Sequence, residues 1–291
     1  MKYDLKVPWI ESPFFLSELR NAPLSKDLKG LCKKFYQDGY VIIDLNLSEN
    51  SIKAINSSVE KLLLQEETTF QANHYEYSKS PRIFQGWKQS KSIRDLACNK
   101  KIMNTLEVLY GRKPFPFSTI NFTKGAQQPL HSDSIHFQTM PYGWIAGCWV
   151  ALEDIDENSG PLQIIPGSHK IRPWSYQDLG IRHPDSVIDG EKKCYRQYEE
   201  FIKDLVKERK DFKKEIIPIK KGQCLIWAAE LLHGSIKIKD KTKTRKSQAI
   251  HYSFEKCTRY FHPMFSNIEK GEFADKWCNE QKNILSWKEK K

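Results

Sequence analysis

Two histidines and an aspartate in this chain have the types and the spacing to share one metal ion. His131 and Asp133 stand two apart in Pro129-Leu-His-Ser-Asp133. In an extended segment residues i and i+2 project to one face, so this imidazole and carboxylate can bind a cation side by side. A third ligand must come from elsewhere, and His233 in Leu232-His-Gly-Ser235 offers it. Two imidazoles and one carboxylate leave positions on the ion open to other ligands, which suits non-haem Fe(II) and O2 chemistry. His-x-Asp alone is weak evidence, because His183-Pro-Asp185 repeats it. There the flanks are polar and the proline interrupts any strand, so that copy reads as a loop.

Arg245 follows His233 by twelve residues, at the head of the apolar run from Ser247 to Phe254. A guanidinium grips a carboxylate with two parallel N–H donors, which an ammonium does less well. A metal triad followed by such an arginine describes a site for a 2-oxo acid. The acid would chelate the iron and pair its far carboxylate with Arg245.

The elements that must position these groups fall into two blocks. Residues 1–112 read mainly as helix. Ser25 caps a helix that runs to Gln37 and stops at Asp38-Gly39, with Leu28, Leu31, Cys32, Phe35 and Tyr36 at helical spacing. Tyr40 to Asp44 is a short strand, and Ser48 caps a second helix striped with Ile52, Ile55, Val59, Leu62 and Leu63. A third helix is expected over residues 92–110, ending at Gly111.

Residues 113–265 read as short strands between Gly and Pro turns, the pattern of a barrel or sandwich. Strands are expected at 117–122, 145–155, 162–165 and 247–254. Ile216 to Ile219, a Lys-Lys-Gly turn and Gln223 to Trp227 suggest a hairpin. A polar insert over 168–214 carries a helix expected at 198–210, and 266–291 forms a tail. The expectation is one catalytic β-domain under a helical layer, spanning 1–291.

In order and spacing these motifs resemble the phytanoyl-CoA dioxygenase family of Fe(II)/2-oxoglutarate oxygenases. The resemblance covers roughly residues 40–260. It rests on Gln37-Asp-Gly-Tyr-Val-Ile, Leu130-His-Ser-Asp133, Trp149-Val-Ala-Leu-Glu-Asp154, His233-Gly-Ser235, Arg245 and one long run. That run, Asn158-Ser-Gly-Pro-Leu-Gln-Ile-Ile-Pro-Gly-Ser-His169, is the most specific piece. The resemblance implies a mainly β fold with flanking helices, built on a double-stranded β-helix, a cupin-like jelly roll. It implies Fe(II) on His131, Asp133 and His233, with 2-oxoglutarate and O2 as co-reactants. Arg245 would bind the distal carboxylate of 2-oxoglutarate and Ser235 would hydrogen-bond it. Trp149 falls where the family lines the cosubstrate pocket, though a core tryptophan fits as well. Asn121 and Gln128 are further candidates for cosubstrate contacts. The implied reaction hydroxylates an unactivated C–H bond and releases succinate and CO2. A carboxylate at 133 favours this over halogenation, which needs a small residue there. The segment Gly234-Ser-Ile-Lys-Ile-Lys-Asp-Lys-Thr-Lys-Thr244 departs from many relatives in having no Asn.

The substrate is less defined. His136, just beyond the triad, faces the substrate or serves structure. Gln163 is expected to point into the barrel near the iron. Tyr142 belongs to an aromatic loop at 137–142 that, with 71–82 and the insert, is a candidate gate. His169 reads as a turn contact and His251 as core packing.

Composition narrows the classes. The chain has 291 residues and a net charge of +11, much of the surplus being lysine between 203 and 246. Acidic residues interrupt that stretch, so it reads as a solvated face, or as attraction for an anionic substrate. A polar or anionic small molecule is the expected partner, with no membrane and no nucleic acid. The rival class is a non-catalytic basic jelly roll that binds polysaccharide or nucleic acid. Seven scattered Cys without a Cys-x-x-Cys argue for reduced thiols, and no apolar run suits a signal peptide or membrane span. The cytoplasm is the expected location.

Overall fold

The computed structural model describes residues 5–65, 81–181 and 189–274. Its helices come first: α1 Phe15–Asn21, α2 Lys26–Asp38, α3 Glu49–Leu63, α4 Lys91–Ala97 and α5 Lys100–Tyr110, with α6 Asp189–Glu208 in the insert. The strands are β1 Tyr40–Asp44, β2 Arg82–Phe84, β3 Pro114–Phe122, β4 Gln138–Met140, β5 Ile145–Ala151 and β6 Leu162–Ile164. They continue with β7 Glu215–Ile217, β8 Gln223–Ala228, β9 His233–Ser235, β10 Ser247–Phe254 and β11 Arg259–Phe261.

Local chemistry sets the helix ends. Ser25 Oγ accepts from Leu28 N and Ser48 Oγ from Ser51 N, so each satisfies an amide the helix leaves unpaired. Gly39 and Gly111 close α2 and α5 at φ of 81° and 76°, where a side chain would be strained. The single helix expected over 92–110 is two. Asn99 leaves helical geometry and its side chain caps Lys101 N and Ile102 N, ending α4 and starting α5. In the insert, α6 begins upstream of the expected 198.

Six antiparallel strands form the major sheet in the order β1-β8-β5-β10-β3-β2. A minor sheet, β7-β6-β9, stands opposite, and β11 pairs β4. This is the jelly roll that the sequence led us to expect. The expected hairpin at 216–227 is not one: β7 pairs β6 in the minor sheet and β8 pairs β1 and β5 in the major. The Lys-Lys-Gly turn therefore carries the chain between sheets.

Alternation along the major strands divides the core. Val41, Ile43, Cys148, Val150, Cys224, Ile226, Ile250, Tyr252 and Phe254 face the helices and share one apolar cluster with α2, α3, α4 and α5. Trp149, Ala151, Leu225, Trp227 and Ala249 face inward and pack with Ile164, Ile217 and Ile219 from the minor side. The chemistry sits on that inner face. Among the described residues no helix is long and apolar enough to cross a membrane.

Candidate metal centre and cosubstrate pocket

His131 and His233 lie across an antiparallel bridge in which each backbone N–H donates to the other's carbonyl at 2.9 Å. Gly234 makes this approach possible, because a Cβ there would sit 2.7 Å from Pro129 O and 2.8 Å from Gln128 O. The structure corrects one step of the sequence argument. Asp133 does not share a strand face with His131. The chain leaves the bridge and winds into a 3-10 turn over Asp133–Ile135, and that turn swings the carboxylate back toward both rings. Tyr198 of α6 anchors the turn by accepting from Ser132 N at 3.2 Å.

One donor atom from each of His131, Asp133 and His233 lies within 4.8 Å of the others, and all three residues are buried. Asp133 Oδ1 is 3.6 Å from His233 Nε2 and 3.9 Å from His131 Nε2. Each ring donates from Nδ1 to a backbone carbonyl at 2.9 Å, His131 to Pro129 and His233 to Leu231. A carbonyl can only accept, so Nδ1 holds the proton and the Nε2 lone pair is aimed at the shared space. Burial, with His233 adding to it, lowers the His131 value to about 4, which keeps that ring neutral. Burial opposes charge on Asp133, but His233, His251 and His131 outweigh it and hold the carboxyl below the usual range. A neutral His131 ring beside an ionised carboxylate suits a divalent cation.

Beside this centre lies a buried cation. Arg245 is 1 % exposed. Its guanidinium donates to Gly160 O at 2.8 Å and lies 5.3 Å from the Trp149 ring and 5.6 Å from the Phe122 ring. Among the described residues no carboxylate pairs with it, and its Nε has no partner. Burial first, then Arg82, presses its value down to about 9. The Trp149 indole N–H is also buried and unpartnered. Two orphaned donors around an uncompensated charge call for an anion. Gly160 belongs to the long motif run, so part of that run's work is to hold the guanidinium.

The other expected site residues divide. The Gln128 side-chain amide lies 3.3 Å from His131 Nε2, at the centre itself. Ser235 Oγ accepts from Gln128 N at 3.1 Å, leaving its own hydrogen to donate. His136 stacks edge-on 5.8 Å from the His131 ring and lies 3.4 Å from Tyr195 OH. Tyr142 occupies the turn between β4 and β5 and is 43 % exposed. Two candidates point elsewhere. Asn121 faces the helical layer and donates to Gln248, which donates to Ile93 O of α4. Its neighbours Ile120 and Phe122 take the inner face of β3. Gln163 alternates with the inward Leu162 and Ile164, so it lies on the outer face of β6. His169 contacts Tyr36 O, the turn contact expected of it. His251 was expected to pack in the core, yet its Nε2 lies 3.5 Å from Asp133 Oδ2.

Sequence reasoning missed Trp227, whose indole N–H donates to Asp133 Oδ2 at 2.8 Å. It also missed Tyr195, Tyr198 and His262, which border the centre from α6 and from beyond β11. None of these follows a motif, so only the fold could assemble them. His183-Pro-Asp185 and residues 71–80 lie outside the described residues.

A jelly roll holding two histidines and an aspartate above a buried arginine defines the class of non-haem iron oxygenases that use a 2-oxo acid. The chain belongs to the phytanoyl-CoA dioxygenase family, whose sequence profile matches residues 35–247. It is thus an iron- and 2-oxoglutarate-dependent oxygenase. The peroxisomal phytanoyl-CoA dioxygenase of Rattus norvegicus is 23 % identical over 247 residues, covering 77 % of this chain and 68 % of the relative. Among solved structures, the epimerase SnoN of nogalamycin biosynthesis, in complex with Fe3+, alpha ketoglutarate and nogalamycin RO, superposes with a TM-score of 0.60. It is 19 % identical and the match covers 86 % of this chain and 95 % of that one. EctD from S. alaskensis with 2-oxoglutarate and 5-hydroxyectoine gives 0.59 at 20 % identity, over 85 % and 80 % of the two chains. These likenesses support the shared fold.

Proposed function

We propose that this protein hydroxylates an unactivated C–H bond of a polar or anionic small molecule, using Fe(II), 2-oxoglutarate and O2. The observation that carries the reading is the buried cluster of His131, Asp133 and His233 beside the uncompensated Arg245. The three ligands fit a divalent iron by donor type, protonation and convergence. Arg245, Trp149 and Ser235 fit the distal carboxylate of 2-oxoglutarate, since each offers a hydrogen to an anion where the protein supplies none. Bound there, the iron and its cosubstrate supply oxidative decarboxylation to succinate and CO2, with one oxygen atom passed to the substrate.

The chain's own residues do the rest. His131 and His233 keep their lone pairs aimed through the Nδ1 bonds to Pro129 and Leu231. The inner apolar face, with Leu225, Ile164 and Ala249, excludes water from the cosubstrate side. Gln128 and His136 both contact the Tyr195 hydroxyl beside His131, and all three carry polar groups without fixed charge. These support a substrate bearing hydroxyl, amide or similar groups, while the lysine-rich surface supports attraction of an anionic one. The reading treats the chain as one catalytic unit, supported by the cluster that helices and major sheet share. It places the protein in the cytoplasm, supported by the free state of the described cysteines.

The test is succinate formation by purified protein with Fe(II), ascorbate and 2-oxoglutarate over a panel of sugars, nucleotide sugars, amino acids, phosphonates and acyl thioesters. A metabolite should gain one oxygen, and His131→Ala should abolish turnover. Absence of turnover across the panel, with metabolite binding retained in His131→Ala, would leave a non-catalytic binding module instead.

A further inference from the structure

Asp133 has two carboxylate oxygens, and they face different things. Oδ1 looks toward the Nε2 atoms of both histidines. Oδ2 is turned away and already engaged: Trp227 Nε1 donates to it at 2.8 Å, and His251 Nε2 lies 3.5 Å from it. All five side chains are buried, Trp227 at 3 % exposure and Asp133 at 3 %.

The two groups on Oδ2 come from separate strands of the major sheet, and the register explains how both reach it. His251 of β10 pairs Gly147 of β5, and Gly147 pairs Trp227 of β8. Three neighbouring strands thus present imidazole, nothing and indole in one row on the inner face. A Cβ at 147 would overlap the Trp227 indole. Glycine in the middle of a strand weakens it and marks a close approach. Here the approach is that of the indole, lying across β5 to reach the aspartate.

An indole N–H can donate and cannot accept, so Oδ2 is the acceptor in this bond and one of its lone pairs is occupied. It also fixes a torsion that is otherwise broad for aspartate. We propose that Trp227 is a positioning residue that holds Asp133 as a one-oxygen ligand, with His251 assisting and Gly147 making room. The inference rests on the iron reading above and adds a consequence. On an ion with six coordination positions, two histidines and a one-oxygen carboxylate would fill three. A carboxylate free to rotate and chelate would fill a fourth, and a chelating 2-oxo acid plus one further ligand need three open.

Cobalt(II) titration of the full metal-free chain tests this, because its visible spectrum reports coordination number and its binding curve gives affinity without turnover. Trp227→Phe keeps a ring and removes the donor. It should bind Co(II) about 10- to 100-fold more weakly, the usual effect of losing a partner of a metal ligand. The Co(II) spectrum should change, and 2-oxoglutarate should perturb it less than in the unsubstituted protein. His251→Phe, from a different strand, should show a smaller loss in the same direction. A tryptophan that only fills space would lower the melting temperature of the metal-free protein and leave affinity and spectrum unmoved. That result, in whichever of the two variants folds, overturns the proposal. Failure of the unsubstituted chain to bind Co(II) or Fe(II) overturns the iron reading and this inference together, whereas normal binding in Trp227→Phe, or in His251→Phe where only that variant folds, overturns the positioning role alone.

Discussion

Arg245→Met should make the metal-free protein more stable while weakening its binding of 2-oxoglutarate. The guanidinium is 1 % exposed, has no carboxylate among the described residues and keeps one hydrogen bond, to Gly160 O. Burial and Arg82 lower its value from 12.5 to about 9. At about 1.4 kcal/mol per unit, holding the charge costs up to about 5 kcal/mol. The sign follows from proton counts. Between pH 9 and 12.5 the unfolded chain binds more protons than the folded one, so stability returns only as pH rises through that window. At pH 7.5 the whole penalty is present. Methionine removes it but forfeits the Gly160 bond and leaves that carbonyl unpaired, a loss of about 1–3 kcal/mol. The net gain is up to about 2–4 kcal/mol, or several degrees in Tm for a chain of this size. Cosubstrate binding moves the other way. Losing a buried, charge-assisted fork costs about 2–5 kcal/mol, a weakening of at least about 30-fold. Differential scanning fluorimetry with Co(II) and increasing 2-oxoglutarate reads both effects, since a ligand that binds only the folded state raises Tm with the logarithm of its concentration. A variant that melts well below the parent and still gains the full upshift from 2-oxoglutarate would refute the reasoning.

Three further outcomes follow from individual residues. Glu230 is buried with one oxygen unpaired, and burial raises its value from 4.5 to about 7, so its stability deficit grows as pH rises from 4.5 to 7 and stays constant above. Glu230→Gln should therefore melt higher at pH 8 by up to about 3 kcal/mol equivalent, with the gap closing by pH 4 in a pH series of melting curves. Gly234→Ala puts a Cβ 2.7 Å from Pro129 O, so the bridge between the two ligand segments must part. It should cost about 1–3 kcal/mol in urea unfolding and abolish the Co(II) spectrum. Tyr195→Phe removes a hydroxyl shared by Gln128 and His136. It should raise the KM of the substrate found in the metabolite panel about tenfold, the cost of one lost hydrogen bond, while substrate-free 2-oxoglutarate turnover stays level.

The candidate ligands His131, Asp133 and His233, with Arg245, were legible from their order and spacing around the 158–169 run, since His-x-Asp alone recurs at 183–185. Helix caps at Ser25, Ser48, Gly39 and Gly111 were legible because the signal and the structure it specifies are within a few residues. One error was local, and the others came where tertiary contacts decide. Residues 92–110 keep one helical period throughout, and only the Asn99 side chain, bonding its own downstream amides, shows the break. The sequence at 216–227 has hairpin spacing, but β7 and β8 each find better partners in different sheets. Asn121 and Gln163 have suitable side chains in the right strands. Each was misplaced by one residue of register, which in a strand reverses the face.

That reversal explains how one sheet serves two purposes. Along β5, Cys148 and Val150 anchor the helices while Gly147 and Trp149 form the pocket; along β10, Ile250 and Tyr252 anchor and Ala249 and His251 face inward. Apart from Asn121 and Gln248, which bond each other and Ile93 O, the outward set is apolar and interchangeable in kind, and the period of two reveals it from sequence. The inward set mixes glycine, alanine, tryptophan and histidine with no period in polarity, because each position answers to a neighbour on the next strand. Gly147 is small because Trp227 is large, and Trp227 is large because Asp133 lies a full indole away. Residues 147, 227 and 251 are far apart in the chain and adjacent in the sheet. Substituting any one should therefore change what the other two tolerate, so Gly147→Ala paired with Trp227→Phe should lose less Co(II) affinity than the sum of the single changes. Strict additivity in that cycle would mean the row is three independent residues and not one support for the carboxylate.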